Sequence, residues 1–413
     1  MRGQGRAAVV GAGIVGLSVA WFLQEQGFEV TVFDALGVAG GASAGNAGWI
    51  TPGQVAPLPE PGVLGYALRS LVRRDSPLRV TPTALPATAR FLASFAMNCT
   101  PAKWENGVAS LAGLCSLALS SYDLLERGGV TADLLSAPIV MAFGDAAEAV
   151  PVEQELRVAG EAGIAGGVTE LSQRELREER PVLSARARHG LKLDGQRYLQ
   201  PLAYTQSLAA SVRSRGGQIT SGVHVDRLES AGGAKLTVIG ASDRTAFDVA
   251  VLANGAWLSH LGKPAGVRLP LAAGRGYSFT VTTATPLAGP LYLPPLRVAC
   301  TPTRGGMRLA GTMEFRSPDA PLDRRRIDAI VRSATDYLEG VDWASISDVW
   351  VGPRPVTADG LPLIGATRQP GVYVAGGHGM WGMTLGPATG RLLAEFIASG
   401  ERPAALRQFD PCR

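Results

Sequence analysis

The hydrophobic pattern at the N-terminus changes its period twice within the first 34 residues. Residues 7–10, AAVV, form a short apolar run with the length of a strand that is buried on both faces. A helical pattern then continues to about Gln26, and Gly27 is placed to end it. A second apolar run, EVTVF, leads to Asp34. This order predicts a βαβ unit at the start of a parallel sheet.

The turn between the first strand and the helix carries the pattern Gly11-x-Gly13-x-x-Gly16, with Ile14 and Val15 at the start of the helix. Such a turn lets the backbone approach a pyrophosphate, which the free amides of the helix N-terminus bind. A carboxylate at the end of the second strand accepts hydrogen bonds from an adenosine ribose. The spacing therefore predicts a dinucleotide site, for NAD or for FAD, rather than an ordinary tight turn.

Alternating apolar and polar positions reappear in residues 261–349. The segments RGYSFTVT, LYLPPLRVACTPT and GMRLAGTMEF are typical of half-exposed strands in an antiparallel sheet. RRRIDAIVRSATDYL predicts an amphipathic helix on its outside. Further helices are predicted in the middle of the chain, near 62–73, 84–97, 105–127, 170–181 and 201–215.

Composition narrows the classes of function. The chain has 413 residues, of which 46% are hydrophobic, enough for a large core and two domains. Its net charge of +4 and the lack of a block of five basic residues argue against nucleic acid as a partner. Four cysteines without C-x-x-C spacing indicate neither a metal site nor a disulfide framework. We expect a cytoplasmic protein with no membrane span and no signal peptide.

The loop after Asp34 distinguishes between the two dinucleotides. Its sequence over 37–53, GVAGGASAGNAGWITPG, is rich in small residues and contains Ser43, Asn46 and Thr51. A nicotinamide-binding domain would run quickly into a third strand, whereas this loop can lay backbone amides along an extended ligand. A flexible linker is the alternative reading of the loop taken alone.

With its GxSxxNAG stretch, the chain resembles the D-amino acid oxidase-like superfamily of FAD-dependent oxidoreductases, and within it the D-amino acid dehydrogenase (small subunit) branch. The resemblance implies an α/β fold (α+β overall): a Rossmann-like FAD-binding domain with an interleaved substrate domain, built on an antiparallel sheet with helices. The implied FAD-binding domain is discontinuous, over 1–55, 150–260 and 350–413, with 56–149 and 261–349 as the substrate or cap domain.

The resemblance also implies contacts to noncovalent FAD, since the C-terminal glycine motif lacks the cysteine that carries covalent flavin in sarcosine-oxidase relatives. Val225 would contact the adenine through its backbone. In GGHGMWGMTLGPATG, residues 376–390, the glycines would run against the flavin ring, and a helix opening at Leu385 to Pro387 would point its amides at the N1–C2 edge. The remaining implied contacts are Ala42, Ser43, Asn46, Ala47, Gly48, Ile50, Ala253, Gly255, Gly377, Gly379, Gly382, Met383 and Thr384.

The segment DVWVGPRPVTADGLPLIG, residues 348–365, departs from the family form W-x-G-x-RP-x-TPDG-x-PxIG only by Ala358 in place of proline. The arginine of this motif, Arg354, presents a planar fork that clamps a carboxylate bidentately. The resemblance assigns it to the carboxylate of an amino-acid substrate. The alternative is a structural ion pair with Asp348 or Asp359.

Further candidates for the substrate pocket are Tyr277, Met313, His378 and Trp381, together with Arg275 and Tyr292. No Ser/His/Asp or Cys/His arrangement stands out, so no residue is assigned as a general base. Hydride transfer from Cα of a neutral amine to flavin N5 needs none. Met380 and Trp381 stand where glycine-oxidase-like relatives carry an extra arginine, which favours a larger, more apolar side-chain pocket. Gln200-Pro201 replaces the Asp-Pro pair of much of the dehydrogenase branch.

The expected function is FAD-dependent oxidative deamination or dehydrogenation of a D- or N-substituted (cyclic) α-amino acid. Two alternatives stay open: a sarcosine- or glycine-type amine oxidase that uses O2, and the flavin subunit of a multi-subunit amino-acid dehydrogenase. The electron acceptor would be O2, a quinone or another carrier. Segment 56–105 would contact a partner subunit or the inner face of a membrane through Leu64, Leu68, Leu71, Arg73 and Arg74, unless it is an ordinary helical cap.

Overall fold

The computed structural model describes residues 5–62, 78–80, 85–164, 166–230, 236–240 and 244–413. The helix predicted near 62–73 and the five candidate contact residues of segment 56–105 lie outside the described residues.

The strands, labelled in chain order, are β1 Arg6–Val10, β2 Glu29–Asp34, β3 Trp49–Ile50, β4 Leu78–Val80, β5 Leu134–Ser136, β6 Ile139–Phe143, β7 Val168–Ser172, β8 His189–Leu193, β9 Arg197–Leu199, β10 Gln218–Ser221, β11 Val225–Ser230, β12 Leu236–Gly240, β13 Arg244–Phe247, β14 Val249–Leu252, β15 Leu271–Thr283, β16 Leu291–Leu293, β17 Val298–Thr303, β18 Gly306–Phe315, β19 Val341–Thr357, β20 Leu363–Ala366 and β21 Val372–Gly376.

The helices are α1 Ile14–Glu25, α2 Leu85–Asn98, α3 Pro101–Arg127, α4 Val150–Glu161, α5 Gln173–Glu179, α6 Pro201–Ser214, α7 Leu258–Gly262, α8 Arg324–Thr335 and α9 Gly382–Ser399. The predicted helices near 84–97, 105–127 and 201–215 are present with small shifts of their ends. The segment predicted as one helix over 170–181 is a strand followed by a short helix that Ser172 caps.

The first βαβ unit forms the centre of a six-stranded sheet with the order β10-β2-β1-β14-β21-β20. The pairs β1–β2, β1–β14, β2–β10 and β14–β21 are parallel, and only β20 runs antiparallel. Strand β1 is buried from Ala7 to Val10, as its uninterrupted apolar run predicts. The Rossmann-like domain is therefore confirmed, and the carboxyl ends of its parallel strands meet at one edge.

A second, larger sheet has the order β19-β15-β18-β17-β16-β6-β8-β7, with β4 paired to β18. Most of its described pairs are antiparallel, as the alternating pattern predicts; β16–β6 and β18–β4 are parallel. Strands β7 and β8 belong to this sheet, although the division above placed 150–260 in the FAD-binding domain. Strand β19 crosses the division at 350, because it continues in the second sheet to Thr357.

Helix α3 packs against helices α1 and α9, although the division above assigned 56–149 to the cap. Its buried side chains, among them Val108, Leu111 and Leu114, share one hydrophobic core with α1 and α9. Helix α3 is long and apolar enough to cross a membrane by length and composition alone, which does not decide the expectation of no membrane span. Packed core helices pass the same test, and 44% of its most apolar window is buried here.

The final helix begins at Gly382, three residues before the predicted start, and Pro387 lies inside its second turn. A proline has no N–H for the carbonyl four residues earlier, which here belongs to Met383. The hydroxyl of Tyr122 on α3 donates to that carbonyl at 2.5 Å. The helix therefore tolerates an internal proline because another helix supplies the missing donor.

Helices α1 and α9 cross in close backbone contact. A Cβ atom built on Gly390 would lie 2.6 Å from the carbonyl carbon of Ser18, and Thr389 beside it is fully buried. A glycine at this crossing lets the two helices approach closely. The crossing brings the start of α9 next to the start of α1.

We expect Gly390→Ala to lower the free energy of unfolding by about 1–3 kcal/mol, because its methyl group would force the two helices apart. Gly160→Ala is the matched control, since a Cβ atom at this position in α4 meets nothing within 4 Å. Alanine is the better helix former, so the control should be neutral or slightly stabilised. Denaturant unfolding measures both, and an equal response of the two variants would contradict the close crossing.

Candidate functional site

A cavity of about 590 Å³ lies at the carboxyl edge of the six-stranded sheet, a size typical of cofactor sites. Segments from both ends of the chain and from the second sheet line it. The residues that line it are Val10, Gly11, Gly13, Ile14, Val15, Phe33, Asp34, Ala35, Leu36, Gly41, Ala42, Ser43, Asn46, Val223, His224, Val225, Ala253, Asn254, Gly255, Ala256, Trp257, His260, Leu261, Asp319, Pro353, Arg354, Pro355, Ala375, Gly376, His378, Gly379, Gly382 and Met383.

The N-terminal glycines allow contacts that any side chain would prevent. Gly11 has a φ of +119°, and a Cβ atom there would overlap the carbonyl oxygen of Ala253. A Cβ atom on Gly16 would overlap the carbonyl oxygen of Gly11. The turn is therefore pressed against both the helix and the neighbouring strand end, with its backbone open to the cavity.

The carboxylate of Asp34 organises the loops at one end of the cavity. One oxygen accepts from the backbone N–H of Ala12 at 2.6 Å, and the other accepts from Leu36 and Gly37, each at 2.8 Å. Asp34 also lines the cavity, where an ionised carboxylate can accept further hydrogen bonds. The acid predicted to bind a ribose thus also joins the glycine turn to the next loop.

The loop GASAGNAG packs against the start of α1. The Ser43 hydroxyl accepts from the backbone N–H of Ile14 at 3.0 Å, and Asn46 Oδ1 accepts from Gly48 at 2.8 Å. Of the implied contacts in this loop and strand β3, Ala42, Ser43 and Asn46 line the cavity, whereas Ala47, Gly48 and Ile50 lie behind them. These bonds give the loop a defined conformation, in contrast to a flexible linker.

The C-terminal glycine motif also contributes to the cavity wall. Gly379, Gly382 and Met383 line the cavity, whereas Gly377 and Thr384 do not. Thr384 instead accepts from the backbone N–H of Thr51 at 3.2 Å, which ties the start of α9 to the strand β3 region. The first amides of α9 are free of intrahelical partners and lie at this wall.

Arg354 lines the cavity from strand β19 and is partly buried. Its Nη1 donates to the carbonyl oxygen of Thr312 at 3.0 Å, and desolvation lowers its pKa to about 10. A Cβ atom on Gly276 would overlap the guanidinium, so that glycine makes room for it. Among the described residues Arg354 has no acidic partner. Asp359, one of its two candidate partners, instead accepts from Arg413 at 2.8 Å.

His378 lies beside Arg354 in the cavity wall and is only 4% exposed. Its Nε2 is 2.9 Å from the hydroxyl of Thr389, and burial lowers its pKa to about 4. The imidazole is therefore neutral at neutral pH. The hydrogen bond between His378 and Thr389 joins the C-terminal glycine motif to the middle of α9.

Tyr277, Met313 and Trp381 are not among the residues that line this cavity, so their contact with a substrate stays a prediction. Tyr277 is fully buried in the second sheet's core, and its hydroxyl donates to Glu314 at 2.8 Å. Alternation along β15 gives the reason, since Gly276 faces Arg354 and Tyr277 therefore points to the other side. Met313 packs in a cluster with phenylalanines, and Trp381 donates from Nε1 to the carbonyl of Ala56 at 2.7 Å.

Arg275 and Tyr292 are also outside the cavity wall. The Arg275 guanidinium donates to the carbonyl oxygens of Ala320 and Pro321, so it fixes a loop rather than a ligand. Tyr292 packs edge-on against Trp49, with ring centroids 5.9 Å apart.

Several cavity residues were not assigned from the sequence. Trp257 Nε1 donates to Asp319 at 3.0 Å and so links the end of β14 to a loop of the second sheet. His224 and His260 come together, with ring centroids 6.2 Å apart, although they are distant in the sequence. Trp257 ends the stretch VLANGAW, residues 251–257, where a strand runs into a glycine turn, and this pattern was a usable signal, whereas nothing around Asp319 indicates its position.

Comparison with known proteins assigns the family. A family model described as FAD dependent oxidoreductase (DAO) matches residues 6–396. The chain belongs to this family. A D-amino acid dehydrogenase of Methylobacterium sp. (strain 4-46) is 31% identical over 98% of this chain and 98% of its own. One from Cereibacter sphaeroides (strain ATCC 17029 / ATH 2.4.9) is 30% identical over 95% and 91%. Glycine oxidase from Geobacillus kaustophilus shares the fold, with a TM-score of 0.75, 21% identity and 99% coverage of both chains.

FAD, the cofactor of this family, fits the residues present. The glycine turn at Gly11 and the amides of α1 suit the diphosphate, and Asp34 suits a ribose. Asn254 lines the cavity with a buried Oδ1 atom that has no partner among the described residues. The first amides of α9 also lie at the cavity, where they would stabilise negative charge on a reduced flavin ring. The protein is thus an FAD-dependent oxidoreductase whose two glycine-rich segments face one cavity.

We expect Asp34→Asn to weaken FAD binding about tenfold or more, because an amide cannot accept at both ends and leaves a backbone N–H unpaired. Titration of the apoprotein with FAD, followed by fluorescence quenching, measures the effect. Asp123→Asn is the control, since Asp123 pairs with Arg197 outside the cavity wall. Unchanged FAD affinity in Asp34→Asn would contradict the role given to Asp34.

We expect stability to fall as the pH drops from about 6.5 to about 4, in part through His378. Its folded pKa lies below the ordinary value, so in this window the unfolded chain binds a proton that the folded chain does not. The contribution is about 3 kcal/mol over the window. His378→Gln should flatten the pH dependence measured by denaturant unfolding. An unchanged pH dependence in His378→Gln would contradict this contribution.

Proposed function

We propose that the protein oxidises a D-α-amino acid at its Cα–N bond and passes the electrons to an acceptor other than O2. The curated relatives that match over nearly their whole length carry the name D-amino acid dehydrogenase. The observation that carries the substrate class is Arg354, a desolvated guanidinium at the cavity wall without an acidic partner among the described residues.

An unpaired cation in a desolvated position is unfavourable, and a carboxylate ligand relieves the cost. Arg354 is already oriented for one. Pro353 and Pro355 restrict its backbone, Gly276 leaves room for its side chain, and the Thr312 carbonyl holds Nη1. The other guanidinium N–H groups remain available for a bidentate carboxylate. An α-carboxylate bound there would place the Cα–N bond beside the C-terminal glycine motif.

When bound, FAD supplies the two-electron acceptor for oxidation of the amine. The chain itself would bind and orient the substrate, and among the described residues no carboxylate or imidazole pairs with Arg354. His378 also lines the cavity, but its pKa of about 4 and its contact with Thr389 make it a poor proton acceptor at neutral pH. We therefore propose that the substrate reacts as the neutral amine, giving an imine that water hydrolyses.

The proposed substrate side chain is apolar. Met313 packs with Phe91, Phe95 and Phe315 in a hydrophobic cluster next to Gly274, which pairs with Arg354 across the sheet. Trp381 adds an indole on the side of the glycine motif. Such surroundings favour a hydrophobic or cyclic amino acid over glycine.

The electron acceptor separates this proposal from its alternative. A panel of D- and L-amino acids, assayed with an artificial dye and in parallel for peroxide in air, tests both. Dye reduction with D-amino acids and little peroxide supports the dehydrogenase, whereas rapid peroxide formation identifies an oxidase of the sarcosine or glycine type. Contact of segment 56–105 with a membrane or partner subunit, and a cytoplasmic location, stay predictions.

We expect Arg354→Ala to lower kcat/KM for the best amino acid about 10²-fold or more, which corresponds to roughly 3 kcal/mol of lost transition-state binding. Arg354→Lys should recover only part of it, because an ammonium cannot form the planar fork. The FAD content should not change. Arg413→Ala is the control: it removes the ion pair with Asp359 in the same motif, away from the cavity wall. Normal turnover by Arg354→Ala would exclude Arg354 as the carboxylate ligand.

A further inference from the structure

Trp257 and Asp319 come from two different parts of the fold, and both line the cavity. Trp257 ends a short 3₁₀ helix, Gly255–Trp257, that follows strand β14 of the six-stranded sheet. Asp319 lies in the loop between strand β18 of the second sheet and helix α8. The indole Nε1 of Trp257 donates to Oδ1 of Asp319 at 3.0 Å. This hydrogen bond therefore joins the two sheets at the cavity wall.

The indole of Trp257 also reaches the loop that follows Asp34. A Cβ atom built on Gly41, another residue of the cavity wall, would lie 3.6 Å from Cζ3 of this indole. The six-membered ring of Trp257 thus lies against one cavity-lining loop, while its Nε1 is bonded to a second one. The side chain spans the space between loops that follow strands of different sheets.

A buried arginine fixes the residues that follow Asp319. Arg275 is 1% exposed, and its guanidinium donates to the carbonyl oxygens of Ala320 and Pro321. The carboxylate of Glu314, also buried, lies 3.9 Å from Nη1 of Arg275. Arg275 is not part of the cavity wall, so this attachment of the loop does not depend on the bond to Trp257.

The bond between Trp257 and Asp319 lies where the cavity meets solvent. Asp319 is exposed although it lines the cavity, and Trp257 is half-buried. Hydrogen bonds of exposed loops open locally at a small fraction of the free energy of global unfolding. The bond can therefore break and form again while both sheets stay folded.

We propose that the hydrogen bond between Trp257 and Asp319 is a clasp that closes the cavity over FAD and limits how fast FAD enters and leaves. With the clasp formed, a cofactor in the cavity lies behind an indole that reaches from Gly41 to Asp319. Opening of the clasp requires no movement of the glycine turn or of Asp34. The proposal goes beyond the proposed function, because FAD exchange does not depend on which substrate is oxidised.

A clasp has a kinetic signature that a direct contact with FAD does not share. Because the bond joins two groups of the protein, its loss favours the open state of the free and of the FAD-bound protein alike. The rate constants of FAD association and dissociation then rise by the same factor, and Kd stays constant. Loss of a group that binds FAD itself raises Kd through faster dissociation alone.

The test compares Trp257→Phe, which keeps an aromatic ring without the N–H, with Asp319→Ala. We expect each variant to raise both rate constants about fivefold, the usual effect of one lost hydrogen bond, with Kd within about twofold of the wild type. The double variant should show no larger effect than either single one, since both remove the same bond. Stopped-flow flavin fluorescence measures FAD association with the apoprotein, and exchange of bound FAD for isotopically labelled FAD measures dissociation.

Two control variants accompany the test. Asp319→Asn keeps a side-chain oxygen that accepts from the indole, so its rate constants should stay close to those of the wild type. Trp21→Phe removes an indole N–H that donates to Ser211 at 3.0 Å in the core, outside the cavity wall. This second control should leave FAD exchange unchanged.

Three results would overturn the proposal. A higher Kd with unchanged association would mean that Trp257 or Asp319 binds FAD itself. Faster association of both Asp319→Ala and Asp319→Asn, with dissociation unchanged, would mean that the carboxylate repels the phosphates of FAD. Rate constants equal to those of Trp21→Phe would mean that the bond does not restrict exchange. Asp319 lies on an exposed loop, so Asp319→Ala decides the question if Trp257→Phe fails to fold.

Discussion

The close crossing of α1 and α9 is the constraint on which the site depends. It joins the first helix of the chain to the last, and glycine at position 390 lets their backbones touch. Because each helix begins at the cavity, the crossing brings the first turns of both helices to the wall of one cavity. The second sheet contributes to the cavity wall through strand β19, which carries Arg354.

At the proposed substrate end, the cost of a desolvated cation is set against the binding of a carboxylate. The structure keeps a cation partly desolvated and without an acidic partner among the described residues, and it accepts an uncommon backbone conformation at Thr312 to orient that cation. Both features cost stability in the free protein. A carboxylate ligand bound to Arg354 would offset both costs.

Much of this arrangement was predictable, because its signals are local. A few neighbouring residues are enough to recognise the glycine turn, Asp34 and the proline-flanked Arg354. All three line the cavity. The position of Tyr277 in the core was not predictable from its motif, because it depends on Gly276 facing Arg354, and alternation along β15 then turns Tyr277 to the other side. Asp319 and helix α3 were misjudged for another reason, since their positions depend on long-range packing that no short pattern encodes.

Pro387 and Tyr122 act on the same backbone carbonyl, that of Met383. The proline withholds a donor from the Met383 carbonyl, and the tyrosine of a distant helix supplies one. Loss of the tyrosine hydroxyl alone would leave a buried carbonyl unsatisfied, whereas loss of the proline alone would give that carbonyl two competing donors. The helix that begins at the cavity and the long apolar helix α3 are therefore coupled through this one hydrogen bond, so a change in either partner alters the start of α9.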